Sequence, residues 1–369
     1  MQKPGEIPKR AVNEPPTSSV VRGPREGFIE DIATNVQLVK KRLTTSDFVT
    51  KELVAGKYTK TKIVVAYLKG VADEKIVDGV IKRIKGINID GIIDSHYVMQ
   101  FLQGENLNIF RQVGTDEKPD IITAKMLEGR VAIIVDGSPF VLTVPYILFE
   151  DIQNSDDYYT NSTSVSLRRF VRICGAVIAI VLPGLYIAMQ LYHYNIVPLN
   201  TLIVITNSVG SSPFSPMIEM IFVLILFEVL YEAALRMPKH LGTATSLVGA
   251  LVLGDTAVKA GLISSPVVLV AALSGITMYI LPNLAPQISL LRFFFALVGG
   301  ILGLYGIVIA VILLVIYLAS LESYGAPLLA PYAPLVKSDL KDGIIKQEVK
   351  QMTKRPRSFS NPNKTRQKP

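Results

Sequence analysis

The sequence is poor in the residues that most often carry metal or thiol chemistry. It has one cysteine, Cys174, three histidines and no tryptophan among 369 residues. One cysteine excludes an intrachain disulfide and supports neither a thiol catalyst nor a zinc cluster. The histidines are spread over positions 96, 193 and 240, which argues against a multi-histidine metal site.

Positive charge is also scarce, but only in the second half. Residues 173–235 contain no Lys or Arg, and residues 241–336 contain only Lys259 and Arg292. Half of all residues are hydrophobic, and this share is high because the second half is extreme. Soluble cores do not have this distribution. The sequence therefore predicts a soluble head followed by a membrane body.

Four stretches have the composition of membrane helices. About 20 apolar residues cross a hydrocarbon core as a helix. The stretch that begins at residue 293 carries no charge and contains four glycines, which allow close approach of membrane helices. The predicted spans are residues 173–191, 217–235, 266–281 and 293–318.

Basic residues flank these stretches and predict their orientation. Three arginines lie at 168–172, Arg236 and Lys239 follow the second stretch, and residues 337–368 hold ten Lys or Arg. Because Lys and Arg are retained on the cytoplasmic side, both termini are predicted to be cytoplasmic and the number of crossings even. Residues 242–261 are therefore expected to be re-entrant or pore-lining. Arg292 is expected to snorkel from the outer end of the last span.

The predicted architecture is an α/β cytosolic domain followed by an all-α polytopic membrane domain. We assign residues 1–19 to a Pro-rich lead or linker and residues 20–165 to the cytosolic domain. The membrane domain is assigned to residues 166–322 and a basic cytosolic tail to residues 323–369. Residues 1–18 lack the apolar core of a secretion signal, so the head is expected to remain in the cytosol.

Periodicity predicts the main elements of the head. Apolar residues at helical spacing predict helices at 25–43 and 73–85. Runs rich in β-branched residues predict strands at 61–68, 131–135 and 140–144, the last two joined by a tight Asp-Gly-Ser-Pro turn. These elements are expected to form one mixed sheet.

Catalytic signatures are absent from the sequence. It has no phosphate-loop lysine pattern and no G-x-S-x-G. We therefore predict no catalytic, cofactor-binding or metal-binding residue and do not expect an enzyme. The basic tail is expected to contact anionic lipid or the head, which requires no nucleic acid.

Three carboxylates fall inside a predicted span. Glu228 and Glu232 are one helical turn apart, and Glu219 lies on the opposite face nearer the outer end. A carboxylate in a span is costly unless it faces protein or water, so a functional or inter-helix role is the default hypothesis. For Glu232 the alternative is an i,i+4 pair with Arg236 at the interface.

Residues 242–261 carry a stripe of mostly small or polar side chains at spacings of three or four. Such a stripe can line a narrow aqueous path in an oligomer, or it can form a helix-packing face. The predicted topology favours the pore. The candidate pore-lining or gating residues are Thr245, Gly249, Val252, Thr256 and Lys259.

One segment near the start of the head is highly distinctive. Residues 19–28 read SVVRGPREGF, and further blocks lie at 56–62, 128–139, 227–238 and 330–342. In this order they resemble the spore germination receptor A-subunit family, the GerA family. The motif residues, to which we assign a structural role, are Arg22, Gly23, Pro24, Arg25, Glu26, Gly27 and Phe28.

The resemblance implies a function that spacing alone does not give. Receptors of this kind respond to nutrients and contain an A subunit, a transporter-like B subunit and a lipoprotein C subunit in the inner membrane of the spore. The A subunit is thought to form a homo-oligomeric cation channel. The resemblance also implies an additional cytosolic subdomain before SVVRGPREGF. This sequence is expected to lack that subdomain, as a fragment or a shortened gene product would.

Two other readings compete with the channel. A non-conducting scaffold that relays a signal from its partners would share every motif quoted above. A secondary transporter would usually show repeated span patterns with broken helices, and no convincing repeat is present between the spans.

Overall fold

A computed structural model of the chain describes residues 11–15, 22–103, 108–209, 212–236 and 255–367. The described residues separate into two compact units. The first lies within Met1–Arg169 and Leu318–Pro369, and the second is Phe170–Tyr317. The chain therefore leaves the first unit in one long helix and returns to it in another.

The first unit contains a five-stranded sheet with the order β1-β2-β4-β5-β3. Its strands are β1 (Phe48–Ala55), β2 (Thr61–Leu68), β3 (Gly114–Asp116), β4 (Val131–Val135) and β5 (Val141–Val144). Its helices are α1 (Ile32–Lys40), α2 (Glu74–Lys85), α3 (Ser95–Leu102) and α4 (Pro119–Leu127), with 3-10 turns at Leu148–Asp151, Ser155–Tyr158 and Val349–Gln351.

All neighbouring strands in this sheet are antiparallel, so the expectation of a mixed sheet is wrong. The β1–β2 and β4–β5 pairs are hairpins, which are antiparallel by construction. The connection through α2, α3, β3 and α4 brings the chain back so that Ile63 of β2 lies opposite Val135 of β4. The edge strand β3 pairs with β5 in the same antiparallel sense.

Helices cover both faces of the sheet. Alternate residues of β2 point to opposite faces: Ile63 and Val65 pack with α2 and α3, whereas Val64 and Ala66 pack with α1 and α4. A strand buried on both faces reads as a continuous apolar run, which is why β2 was recognisable from sequence.

Local sequence predicts some of these elements and misses others. The predicted strands and the second predicted helix are confirmed as β2, β4, β5 and α2. The first predicted helix is too long, because α1 begins only at Ile32, where the Asp31 side chain accepts a hydrogen bond from the Thr34 N–H. Strands β1 and β3 and helices α3 and α4 were not predicted.

The segment expected to be a basic tail lies in the first unit. It opens with the hairpin β6 (Glu322–Ser323) and β7 (Ala326–Pro327). The Ser323 hydroxyl accepts a bond from the Tyr146 N–H at 3.0 Å and donates to the Gln112 carbonyl at 2.6 Å. The tail is thus attached to the sheet domain through buried hydrogen bonds.

The second unit is helical. Its helices are α5 (Ser162–Leu191), α6 (Leu199–Val209), α7 (Pro216–Arg236), α8 (Ser265–Met278) and α9 (Ala285–Ser320), with shorter turns at Tyr194–Ile196, Ala257–Lys259 and Pro282–Leu284. Within the described ranges, two helices are long and apolar enough to cross a membrane, Ser162–Leu191 and Pro282–Ser320. Helix α7 contains four charged residues and α8 has 14 residues.

Helices α7 and α8 run side by side in the same direction. Glu219 contacts Ser264 at one end, Phe227 lies 3.8 Å from the position of a Cβ on Gly275, and the rings of Tyr231 and Tyr279 are 5.5 Å apart. The membrane topology predicted from the sequence has these two segments crossing in opposite directions. Hydropathy does not distinguish the two arrangements, because it does not specify which helix faces meet.

Helix α9 folds sharply back on itself at Gly303. This glycine has φ 64° and ψ −153°, outside the helical region. A Cβ on Gly306 would lie 3.1 Å from the Val298 side chain, although eight residues of straight helix span about 12 Å. Residues 293–318 are therefore not one continuous helix.

Candidate functional site

Residues 22–28 of the SVVRGPREGF motif anchor the chain entering the sheet domain, and residues 19–21 lie outside the described residues. The Arg22 N–H donates to the Asp156 carboxylate at 3.3 Å. Gly23 has φ 117°, and a Cβ there would lie 2.6 Å from the Tyr159 ring. Only glycine combines that backbone conformation with such close approach. The first part of the motif therefore fixes the segment against residues 155–159.

The second part of the motif contacts the residues that directly follow α1 and β3. Glu26 pairs with Arg42 at 2.7 Å, and this bond lowers the pKa of Glu26. The Phe28 side chain is buried, and its N–H donates to the Glu117 carbonyl at 2.8 Å. These contacts hold the motif against the sheet domain, and the structural role assigned to its residues stays a prediction. Arg25 makes only a long surface contact, 4.0 Å from Glu14.

A buried ionic network surrounds Arg169, where α5 leaves the first unit. The Arg169 side chain is 0% exposed. Its Nε donates to Asp157 at 3.1 Å, and its Nη1 donates to the Asp342 carboxylate at 2.9 Å and to the Gly343 carbonyl at 2.6 Å. The start of the long apolar helix is thus tied to the returning tail.

Two further groups complete this Arg169 network. Lys346 donates to the Asp157 carbonyl at 2.5 Å, and Tyr158 donates to the Asp342 carboxylate at 2.7 Å. Burial lowers the pKa of Lys346, although Asp342 acts in the opposite direction. Burial and the charge of Asp342 raise the pKa of Tyr158 well above its ordinary value.

The network is suited to holding segments together. Charged hydrogen bonds inside a protein are strong and directional, and each depends on its partner because an unpaired buried charge is costly. A cavity of about 70 Å³ lies beside it, lined by Asp342, Glu128, Lys341 and Lys354 among others. This volume is large enough for water molecules.

In the described part of the helical unit, one ion pair includes a fully buried side chain. Arg292, whose side chain is 1% exposed, pairs with Glu228, and the Ser289 hydroxyl donates to the same Glu228 oxygen at 2.7 Å. The expectation that Arg292 snorkels is wrong, because its side chain turns into the helix packing toward an acidic partner. The pair joins α7 to the first half of α9.

The other two carboxylates of α7 have different surroundings. Glu232 pairs with Arg236 at 2.6 Å, four residues on, and both side chains are exposed. Glu219 is fully buried, and its Oε1 accepts a hydrogen bond from the Ser264 N–H. The three carboxylates therefore do not form one cluster.

Only part of the predicted stripe lies within the described residues. Thr256 precedes the short helical turn Ala257–Lys259, and the exposed Lys259 pairs with Asp255 at 2.8 Å. Thr245, Gly249 and Val252 lie outside the described residues, so the stripe as a whole stays a prediction. In the described part of the chain, no three His, Cys, Asp or Glu side chains form a group that could hold a metal ion.

Sequence reasoning missed the Arg169 network and the partner of Arg292. Arg169 and Asp342 are 173 positions apart, and Glu228 and Arg292 are 64 apart. One signal was available: an isolated arginine and an isolated glutamate in apolar surroundings each need a partner. That rule does not identify the partner without the helix packing.

Known proteins are similar to this one over almost the whole chain. A family model described as Bacillus/Clostridium GerA spore germination protein matches residues 3–358. The chain is 38% identical to the uncharacterized membrane protein YfkQ of Bacillus subtilis over 357 residues, which cover 96% of this chain and 70% of that protein. It is 35% identical to spore germination protein KA of the same organism, covering 97% of this chain and 66% of the relative.

A solved structure with a similar sequence is the crystal structure of the N-terminal domain of the A subunit of the Bacillus megaterium spore germinant receptor GerK3, which is 37% identical. The match covers 33% of this chain and 97% of that chain, with a TM-score of 0.28. The sequence matches to YfkQ and to spore germination protein KA also include the helical unit of this chain.

Proposed function

This chain belongs to the Bacillus/Clostridium GerA family of spore germination proteins, and from that premise we propose that it is the A subunit of a nutrient-responsive spore germination receptor. The observation that carries the proposal is the family match from residue 3 to residue 358, which includes both units. The proposed partners are a transporter-like B subunit and a lipoprotein C subunit. The proposed location is the spore inner membrane.

Within this proposal the second unit is a multi-pass membrane domain with both termini in the cytoplasm. The two long apolar helices support it. Helix α9 contributes two crossings, since about 18 residues lie on each side of Gly303 and span roughly 27 Å, close to a hydrocarbon core. Tyr192, His193 and Tyr305 gather near the reversal, as aromatic residues do at a membrane interface.

Cysteine labelling distinguishes this topology from a single final span. We expect a Cys174→Ala background carrying Tyr305→Cys to react with a membrane-impermeant maleimide on intact protoplasts. The matched variant Asn283→Cys is expected to react only after permeabilisation. The opposite pattern, with Tyr305→Cys unreactive and Asn283→Cys labelled from outside, contradicts two crossings by α9.

We further propose that the A subunit forms a homo-oligomer that conducts cations. The family resemblance and the small or polar stripe that includes Thr256 and Lys259 support this proposal. A pore lined by such side chains replaces part of an ion's hydration shell with protein oxygens. Lipid contacts of the apolar helices would hold the assembly in the membrane.

Potassium release from spores tests conduction. In spores with this receptor as their sole nutrient receptor, deletion of the chain is expected to abolish nutrient-triggered release. Thr256→Ala is expected to change the release rate at least several-fold, or to cause release without nutrient, because it removes a polar group from the proposed pore. Thr206→Ala on α6 is the control, expected to behave as wild type at equal protein level.

One observation favours a non-conducting scaffold as the second candidate. Glu228 and Arg292 neutralise each other within one chain, so these two charges of the helical unit are used in packing. A scaffold of this kind predicts that Thr256→Ala releases potassium as wild type does, while deletion of the chain still abolishes the response. The potassium measurement therefore separates the two candidates.

A further inference from the structure

The helical unit contains a buried carboxylate without a cationic partner. Glu219 is 0% exposed. Its Oε1 accepts the Ser264 N–H, but its Oε2 is buried and has no hydrogen-bond partner within the described residues. None of the ion pairs formed by described residues involves Glu219, unlike the pairs that satisfy Glu228 and Glu232. A buried carboxylate oxygen in this state requires a positively charged or donating partner.

The groups around Glu219 are oxygen donors. The Ser264 side chain is 2% exposed. The Tyr186 hydroxyl makes a side-chain hydrogen bond with Ser264 and interacts electrostatically with Glu219. Gln190 donates through Nε2 to the Tyr186 oxygen at 2.7 Å, while its own Oε1 is buried without a hydrogen-bond partner among the described residues.

Two acceptor atoms of this group, Glu219 Oε2 and Gln190 Oε1, thus lack a hydrogen bond among the described residues. Water satisfies such atoms singly, but a buried carboxylate among hydroxyl and amide oxygens is typical of a site for a hard cation, which prefers oxygen ligands. One carboxylate and three neutral oxygens carry only one negative charge. This charge suits a monovalent ion better than a divalent one, which usually needs more carboxylates.

The helix ends around the site favour negative charge on one side and positive charge on the other. Glu219 lies in the first turn of α7, and Ser264 is the residue before α8, so two helix N-termini face the carboxylate. These positive ends stabilise a negative charge. Gln190 lies in the last turn of α5, whose negative end favours a cation on its side. The cation position therefore lies between Glu219 Oε2 and the end of α5.

We propose that Glu219, Ser264, Tyr186 and Gln190 bind a monovalent alkali cation between the end of α5 and the starts of α7 and α8. The ligand atoms are one carboxylate oxygen, two hydroxyl oxygens and one amide oxygen. The site fastens three helices together, so the bound ion stabilises the helical unit. Cation binding at this site does not depend on whether the chain conducts ions.

Thermal unfolding of the purified full chain in detergent tests the site. Choline chloride is exchanged for KCl, or in a second series for NaCl, at constant ionic strength. A saturable rise in Tm of about 2–4 °C is expected in at least one of the two series, because a ligand that binds only the folded state stabilises it. Absence of a rise in both series overturns the proposal.

Two variants and one control locate the effect. Glu219→Gln keeps an oxygen for the Ser264 N–H and is expected to lose the cation-dependent rise. Ser264→Ala removes only the Oγ ligand and is expected to raise the half-saturating cation concentration at least several-fold, with little change of Tm in choline. Glu232→Gln, on the exposed pair, is expected to retain the full rise. If the cation-dependent rise in Tm is undiminished in both Ser264→Ala and Glu219→Gln, the assignment of the ligands is overturned. If Glu219→Gln does not fold, the result for Ser264→Ala decides alone.

Discussion

Replacing Arg169 by Met is expected to lower the free energy of unfolding by about 3–5 kcal/mol, the usual cost of removing one member of a buried ion pair. Methionine fills a similar volume but leaves Asp157 and Asp342 without their cation. Because Asp157 is fully buried, its charge has little access to water. The measurement is the thermal or denaturant unfolding of the full chain in detergent.

The neighbouring residue supplies the control. Arg168 is exposed, so Arg168→Met removes the same charge from the same turn of α5 and is expected to change stability by less than about 0.5 kcal/mol. Adding Asp157→Asn to Arg169→Met is expected to restore part of the loss. If Arg169→Met and Arg168→Met are equally stable, Arg169 does not hold the helix to the tail.

The loss at Arg169 has a functional consequence under the proposed role. The chain enters the helical unit just after Arg169 and leaves it just before Leu318. Arg169 binds Asp342 and the Gly343 carbonyl, which follow the point where the chain returns to the first unit. A receptor subunit that transmits a signal between its two units would use both chain connections, so we expect Arg169→Met to uncouple nutrient addition from release.

Substituting Ala for Gly299 is expected to destabilise the helical unit by about 1–3 kcal/mol, the usual cost of overpacking. A Cβ on Gly299 would lie 2.2 Å from the Gly184 carbonyl oxygen, and a Cβ on Gly184 would lie 2.2 Å from the Phe295 carbonyl oxygen. The obstacles are backbone atoms of two packed helices, which cannot rotate away. Helices α5 and α9 therefore have to separate.

A second glycine shows whether the effect is specific to this contact. Gly275 lies inside α8, and a Cβ there would meet only the Phe227 ring at 3.8 Å, an ordinary contact. Gly275→Ala is expected to leave stability unchanged or raise it by about 0.5–1 kcal/mol, because Ala favours helix over Gly. Equal melting temperatures for Gly299→Ala and Gly275→Ala would contradict the close packing of α5 against α9.

The candidate site was partly predictable from individual residues. Isolated charges in apolar stretches, such as Glu219, Glu228 and Arg292, were recognisable because their burial is costly. Their partners were not, since each contact joins helices that are distant in sequence. The i,i+4 geometry of Glu232 and Arg236 was the exception, because both residues belong to the same helix and local spacing specifies the contact.

The amino-acid sequence was sufficient to identify the division into a charged α/β head and an apolar helical body, the family, and elements such as β2, β4 and α2. Composition, motif order and periodicity are local properties, and each can be read without knowing what packs against it. The three-dimensional structure was needed to establish the pairing of Arg169 with Asp342, the common direction of α7 and α8 and the reversal at Gly303. These depend on which surfaces meet, and an apolar helix carries nearly the same hydropathy whichever neighbour it packs against or direction it runs.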